Sequence, residues 1–229
     1  TLLEESLCKW FAKKIGFNDS SGGIAASGGT LSNLNALIAA RHNSGLGSDP
    51  NSVLLVSEDA HSSFIKCIRI MGLDEANLIR IKTDNNGSID IQNLRKTIDK
   101  CFIDKKKIFA IVATLGTTVR GAIDPIKDIS EICKERNIWL HIDGSIGGIF
   151  AITSIPIEGL NNINQANSIT INPQKIIGIT KTSSLLLVSE MSTLENTFST
   201  GLPYLSSKED IINRGEIGIQ GSRPAEVIK

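Results

Sequence analysis

The sequence has no surplus of either charge: Lys+Arg and Asp+Glu number 24 each. A chain without a basic stripe, and without basic residues interleaved with aromatics, does not read as a nucleic-acid surface. It has no C-x-x-C pair, and none of Cys8, Cys67, Cys101 and Cys133 stands at metal-ligand spacing from a histidine. Three of the four fall in segments read as helices, so reduced, partly buried thiols of a cytoplasmic protein are the expected state. No apolar run reaches the ~18 residues that span a bilayer. No secretory signal is visible either. The first residue is Thr1, not Met, which leaves a removed N-terminal segment open.

What is present is ordinary globular composition, 41% hydrophobic and 21% charged in 229 residues. That length suits one large α/β domain, or one domain with part of a second. Helical and strand patterns alternate. Leu3, Leu7, Trp10, Phe11 and Ile15 form a helical stripe over 2–15, and Leu31, Leu34, Leu37 and Ile38 form another over 30–42. Val53–Val56 is a short apolar run suited to a buried parallel strand. A helix is expected over 60–71 and a strand over 77–81. Asp90 is read as the cap of a helix running to about Cys101, and 108–113 as a strand. Asp124 and Pro125 are read as cap and first turn of a helix to about Arg136. Strands follow over 138–142, 168–171 and 184–188. Beyond Met191 the pattern weakens, with a loop at Gly201-Leu202-Pro203 and a glycine-rich stretch over 214–223. Such alternation predicts a mostly parallel sheet with helices on both faces.

In such sheets ligands sit at the carboxyl ends of the strands. Four polar clusters fall there: Ser57 to His61, Thr114 to Thr118, Asp143, and Asn172 to Lys175. Ser27-Gly28-Gly29-Thr30 precedes a helix. Glycines admit an anion close to the backbone and the helix start offers N–H groups to it, although a plain glycine turn with a threonine cap reads the same. Lys175, just past a strand, is either a nucleophilic amine at the rim or a solvated surface lysine. Asp143 is compatible with a metal ligand, a base, or a partner for a protonated ring nitrogen. His141 shares its face and is read as packing or hydrogen-bonding, not ligating. His61 is a structural histidine or a flat ring for stacking. Together a phosphate cradle, a flat ring, a carboxylate and an amine suit pyridoxal 5'-phosphate (PLP). Composition and spacing carry this no further than compatibility.

The stretches AASGGTLSNLNALIAAR, SEDAHSSFIKCIRIMGL, ATLGTTVRGAIDPI, WLHIDGSIGG and SITINPQK resemble those of the group II PLP-dependent amino-acid decarboxylases, in the family's order and at similar spacing over essentially the whole chain. The resemblance implies the large domain of the PLP-dependent transferase fold (fold type I). It implies decarboxylation of an L-amino acid to its amine and CO2, in a homodimer with a shared site. By the same resemblance Lys175 would hold the cofactor as a Schiff base, Asp143 would pair with the pyridine nitrogen, and His61 would stack on the ring. Gly29, Thr30, Ser168 and Asn172 would bind the phosphate, while Thr117, Thr118, Ser145 and Gln174 would lie near cofactor or substrate.

Two departures stand out. Gln174 occupies the place before the lysine where the family has histidine, and Tyr204, the only tyrosine, has no secure register with the family's mobile loop and is given no role. Residues 1–190 are expected to form the PLP-binding domain. Residues 191–229 would be the mobile-loop region and the end of that domain, with the C-terminal small domain and most of the N-terminal arm lacking. A fragment of that kind is expected to bind PLP weakly and to turn over nothing by itself. The alternatives are another fold-type-I enzyme, an aminotransferase or lyase, and a non-catalytic module of the same fold.

Overall fold

The computed structural model describes residues 2–153, 157, 159–180, 183–201 and 213–222. Seven strands form one sheet: β1 (Gly22–Ala26), β2 (Ser52–Ser57), β3 (Leu78–Ile81), β4 (Lys107–Thr114), β5 (Trp139–Gly144), β6 (Ser168–Ile171) and β7 (Ser184–Val188), in the order β1-β7-β6-β5-β4-β2-β3. β7 runs antiparallel to both its neighbours, and every other pairing is parallel. The helices are α1 (Leu2–Ile15), α2 (Gly29–Asn43), α3 (Ser63–Ile70), α4 (Ile91–Ile103), α5 (Ile126–Arg136), α6 (Pro173–Ile176) and α7 (Ser192–Phe198).

Side-chain alternation along the strands divides the core. Val53, Leu55, Ile111, Ala113, Leu140 and Ile142 join Phe11, Leu94, Ile98, Ile129 and Ile132 from α1, α4 and α5 on one face. Leu54, Val56, Ala110 and Val112 join Leu34, Leu37, Phe64 and Ile68 from α2 and α3 on the other. Next to them Ile24, Leu186 and Val188 pack with Ala36, Ala39 and, from α7, Leu194. The expected sheet with helices on both faces is present. All four cysteines are helical and buried. Burial pushes the thiols of Cys67 and Cys133 up to about 12, which leaves them as unreactive core groups.

Two local expectations are revised, and one strand was missed. The helix expected from Ala60 begins only at Ser63, because Glu58 and Asp59 turn the chain at the end of β2. Asp90 does cap α4, its Oδ1 accepting from the N–H groups of Gln92 and Asn93 at 2.8 and 3.0 Å. Asp124 does not cap α5. Its two oxygens accept from the N–H groups of Ile89 and Thr114, at 2.8 and 2.7 Å, and so clamp the end of β4 to the loop before α4. β1 was not foreseen: a Cβ on Gly23 would lie 2.2 Å from the Leu186 carbonyl oxygen, so the close pairing with β7 needs glycine there. Leu202 and Pro203 of the expected loop lie outside the described residues.

Candidate active site

The carboxyl ends of β2, β4, β5 and β6 and the first turn of α2 enclose a cavity of about 260 Å³. Its lining includes Lys175, Asp143, His61, Gly29, Thr30, Asn172, Thr117, Thr118, Ser145 and Gln174. Ten of the eleven residues expected at a site therefore meet in one place.

The floor is rigid. Asp143, at the end of β5, is buried. Its Oδ1 accepts from the Ser145 N–H and its Oδ2 from Asn33 Nδ2, both at 3.1 Å. The anion end is built on α2. Gly28 adopts φ +145, and a Cβ on Gly29 would stand 2.6 Å from Asn172 Nδ2 and 2.9 Å from Ser145 Oγ. Those contacts leave room for backbone only. Asn172 is held from behind, its Oδ1 accepting from Ser184 Oγ, so its NH2 group stays on the Gly29 side. Gln174 is held likewise: its Oε1 accepts from the Ser183 N–H at 2.6 Å. Lys175 sits on the single turn of α6, exposed at the mouth. His61, also exposed, is steadied by the Ser63 N–H, which donates to its Nδ1 at 3.1 Å. Thr117 is buried and accepts from the Ala122 N–H, shaping the turn after β4, while Thr118 is open to solvent.

Ser168 is the exception. It does not line the cavity but is fully buried on β6, where its Oγ bonds Trp139 Nε1 at 2.9 Å and His141 Nδ1 at 2.8 Å. A phosphate role for it is dropped: the hydroxyl lies under α2 and not at the strand end. His141 is hydrogen-bonded, as expected. Burial drives its imidazole down to about 4, with the Asp143 charge pulling partly the other way, so the ring is neutral near pH 7.

Asn33 and Ser63 were not foreseen. Asn33 lies four residues after Gly29, about one helical turn on, and so faces the same side; that spacing was the available signal. Ser63 Oγ and Thr114 Oγ1 line the cavity, are buried, and have no hydrogen-bond partner among the described residues. Such hydroxyls are costly unless a polar ligand completes them. Among the described residues no group of three or more His, Cys, Asp or Glu could hold a metal. No helix among them is long and apolar enough to cross a membrane. Tyr204 lies outside the described residues.

A family model described as the pyridoxal-dependent decarboxylase conserved domain matches residues 1–229. The chain is 30% identical over 231 residues to an aromatic-L-amino-acid decarboxylase of Bacillus atrophaeus, covering 99% of this chain and 48% of that protein. It is 31% identical over 241 residues to an acidic amino acid decarboxylase of Xenopus tropicalis, covering 100% and 47%. Among solved structures it matches mouse CSAD in apo form with a TM-score of 0.89 at 27% identity, over 99% of this chain and 49% of that one. It matches Catharanthus roseus tryptophan decarboxylase in complex with L-tryptophan at 0.88 and 26%, over 100% and 51%. The chain spans about half the length of the curated relatives it matches.

Proposed function

Because the chain belongs to the pyridoxal-dependent decarboxylase family, we propose that it is the cofactor-binding part of an enzyme that converts an L-amino acid to its amine and CO2. One observation carries the reading: the Lys175 amine, the buried Asp143 carboxylate and the glycine turn of α2 open onto a single cavity. The donor set fits PLP. Gly29, Thr30, the Asn172 NH2 group and the Gln174 NH2 group are neutral donors for a phosphate at a helix start. The unpartnered hydroxyls of Ser63 and Thr114 offer two more donors. When bound, the pyridoxal ring takes up the electron pair left at Cα as CO2 departs. Asp143, with both oxygens already steered by Asn33 and Ser145, would hold a proton on the pyridine nitrogen. Lys175 would supply the amine that meets the cofactor's aldehyde, and His61 would cover one ring face against water.

The homodimer implied by the resemblance is part of the same proposal. Leu2, Leu3 and Trp10 on α1, 84%, 53% and 46% exposed, are apolar surface that pairing would remove from water. Sedimentation of the full-length protein checks the dimer. For the chemistry, the full-length protein with PLP is treated with borohydride and peptide-mapped. The label is expected on Lys175, and Lys175→Ala should lose both the label and several orders of magnitude of amine formation. A label on another lysine would overturn the assignment.

A further inference from the structure

A row of polar side chains lies buried between the sheet and α2, beside leucine, valine and alanine side chains of that interface. Trp139, His141 and Asp143 alternate along β5 and share the α2 face. Ser168 stands beside His141 on β6, and Asn33 reaches down from α2. The bonds are continuous. Trp139 Nε1 donates to Ser168 Oγ at 2.9 Å, and Ser168 Oγ lies 2.8 Å from His141 Nδ1. His141 Nε2 lies 3.1 Å from Asn33 Oδ1, and Asn33 Nδ2 donates to Asp143 Oδ2 at 3.1 Å.

The two ends set the direction of the bonds between them. A carboxylate only accepts, so Asn33 turns its NH2 group to Asp143 and its carbonyl to His141. His141 Nε2 therefore carries the hydrogen. In a neutral ring Nδ1 is then a lone pair, which takes the Ser168 hydroxyl proton. The indole N–H of Trp139, which can only donate, fills the Ser168 oxygen from the other side. Each group is used with one polarity. Reversing any member would set two donors, or two acceptors, against each other in a buried place.

We propose that Trp139, Ser168, His141 and Asn33 form a one-directional hydrogen-bond chain that positions the Asp143 carboxylate for the cofactor's ring nitrogen, with His141 locked as the Nε2–H tautomer. The proposal rests on the reading of Asp143 given above. These four are positioning residues, since none but Asn33 reaches the cavity. The chain stops Asp143 from turning about its Cβ–Cγ bond. The ring it places beside that carboxylate is kept neutral by burial.

The test uses the full-length protein with 15N-labelled histidine. In the cofactor-free protein at pH 7, long-range 15N–1H spectra should show His141 protonated at Nε2 alone. Asn33→Leu removes the acceptor for that hydrogen, so part of it should move to Nδ1, where Ser168 can accept it. PLP should bind this variant about tenfold more weakly, with an altered absorbance of the bound cofactor. Ser168→Ala should shift the Nδ1 signal to that of an unbonded nitrogen and weaken PLP binding severalfold, and Ser168→Thr should recover both. A wild-type His141 that carries its hydrogen at Nδ1, or exchanges between tautomers, overturns the proposal without any variant. So does a folded Asn33→Leu protein with wild-type PLP affinity and spectrum. Wild-type protein that binds no PLP sinks the functional reading, and the purpose of the chain with it. Wild-type binding that is unchanged in Asn33→Leu sinks this inference alone.

Discussion

Gln174 shows what one side chain does at this rim. Its carbonyl is spent on the Ser183 N–H, so what remains for an anion is an amide NH2 group, which donates and does not titrate. Gln174→His would put in its place a ring that gains a charge below a pKa of about 6.5. The phosphate itself titrates in both proteins, so the informative quantity is the ratio of variant to wild-type PLP affinity. That ratio should fall as pH rises through about 6.5, as measured by fluorescence titration between pH 5.5 and 8. A ratio constant over that range would show that position 174 does not meet the phosphate. A place at the rim was legible here for Lys175, Asp143 and Gln174, because each stands at a strand end next to an apolar run. Ser168 was not: a residue inside a strand is assigned to a face by tertiary packing, and here that face lies under α2.

At the scale of the element, α2 decides the site. It is buried on nearly every side, and its buried polar residues are all engaged. Ser32 bonds Ser184 Oγ, Asn33 bonds Asp143, Asn35 bonds the Leu31 carbonyl, and Arg41 bonds the carbonyls of Leu46, Asp49 and Met71. A helix wired in this way cannot slide to make room at its first turn. Gly29→Ala should therefore act on the ligand side. The new methyl would press on Asn172 Nδ2 and Ser145 Oγ at 2.6 and 2.9 Å, and Asn172 is already tied to Ser184. PLP affinity is expected to drop tenfold or more, ~1.4 kcal/mol, with the helical circular dichroism unchanged. Wild-type affinity in that variant would show that the cradle is not built on this turn. The 3.6-residue stripe of α2 was legible in the sequence, and its buried asparagines were not. Asn33 and Asn35 look like surface positions until the sheet and residues 217–219 close over them.

For the whole molecule, two buried groups give stability opposite dependences on pH. Burial raises Asp124 from 3.8 to about 6, against two backbone N–H donors that pull it down. Between those values the folded state holds a proton that the unfolded chain has released, so stability falls as pH rises from about 4 to 6 and is level above. Burial lowers His141 from 6.5 to about 4. There the unfolded chain binds the proton first, so stability is fully present above about 6.5 and is lost as pH falls toward 4. Each swing is on the order of 3 kcal/mol, and over the shared range they largely cancel. Asp124→Asn removes one of them. Urea midpoints of the variant should then decline more steeply than those of the wild type on acidification from pH 6.5 to 4. Parallel decline would show that Asp124 does not titrate in that window.

The sequence alone determined the alternation of helix and strand and the four polar clusters at strand ends, because the 3.6- and 2-residue periods and the polarity change at a strand's end are local properties. Five motifs in order then identified the family. It did not determine the pairing of β1 with β7, the clamp made by Asp124, or the chain from Trp139 to Asp143. Each of these depends on which groups are brought together across long stretches of sequence: Gly23 against Leu187, Asp124 against Ile89, and Asn33 against His141 and Asp143. Their energies come from burying a polar group with its partner, or a backbone against a backbone, and such a term does not exist until the sheet and α2 have closed on each other.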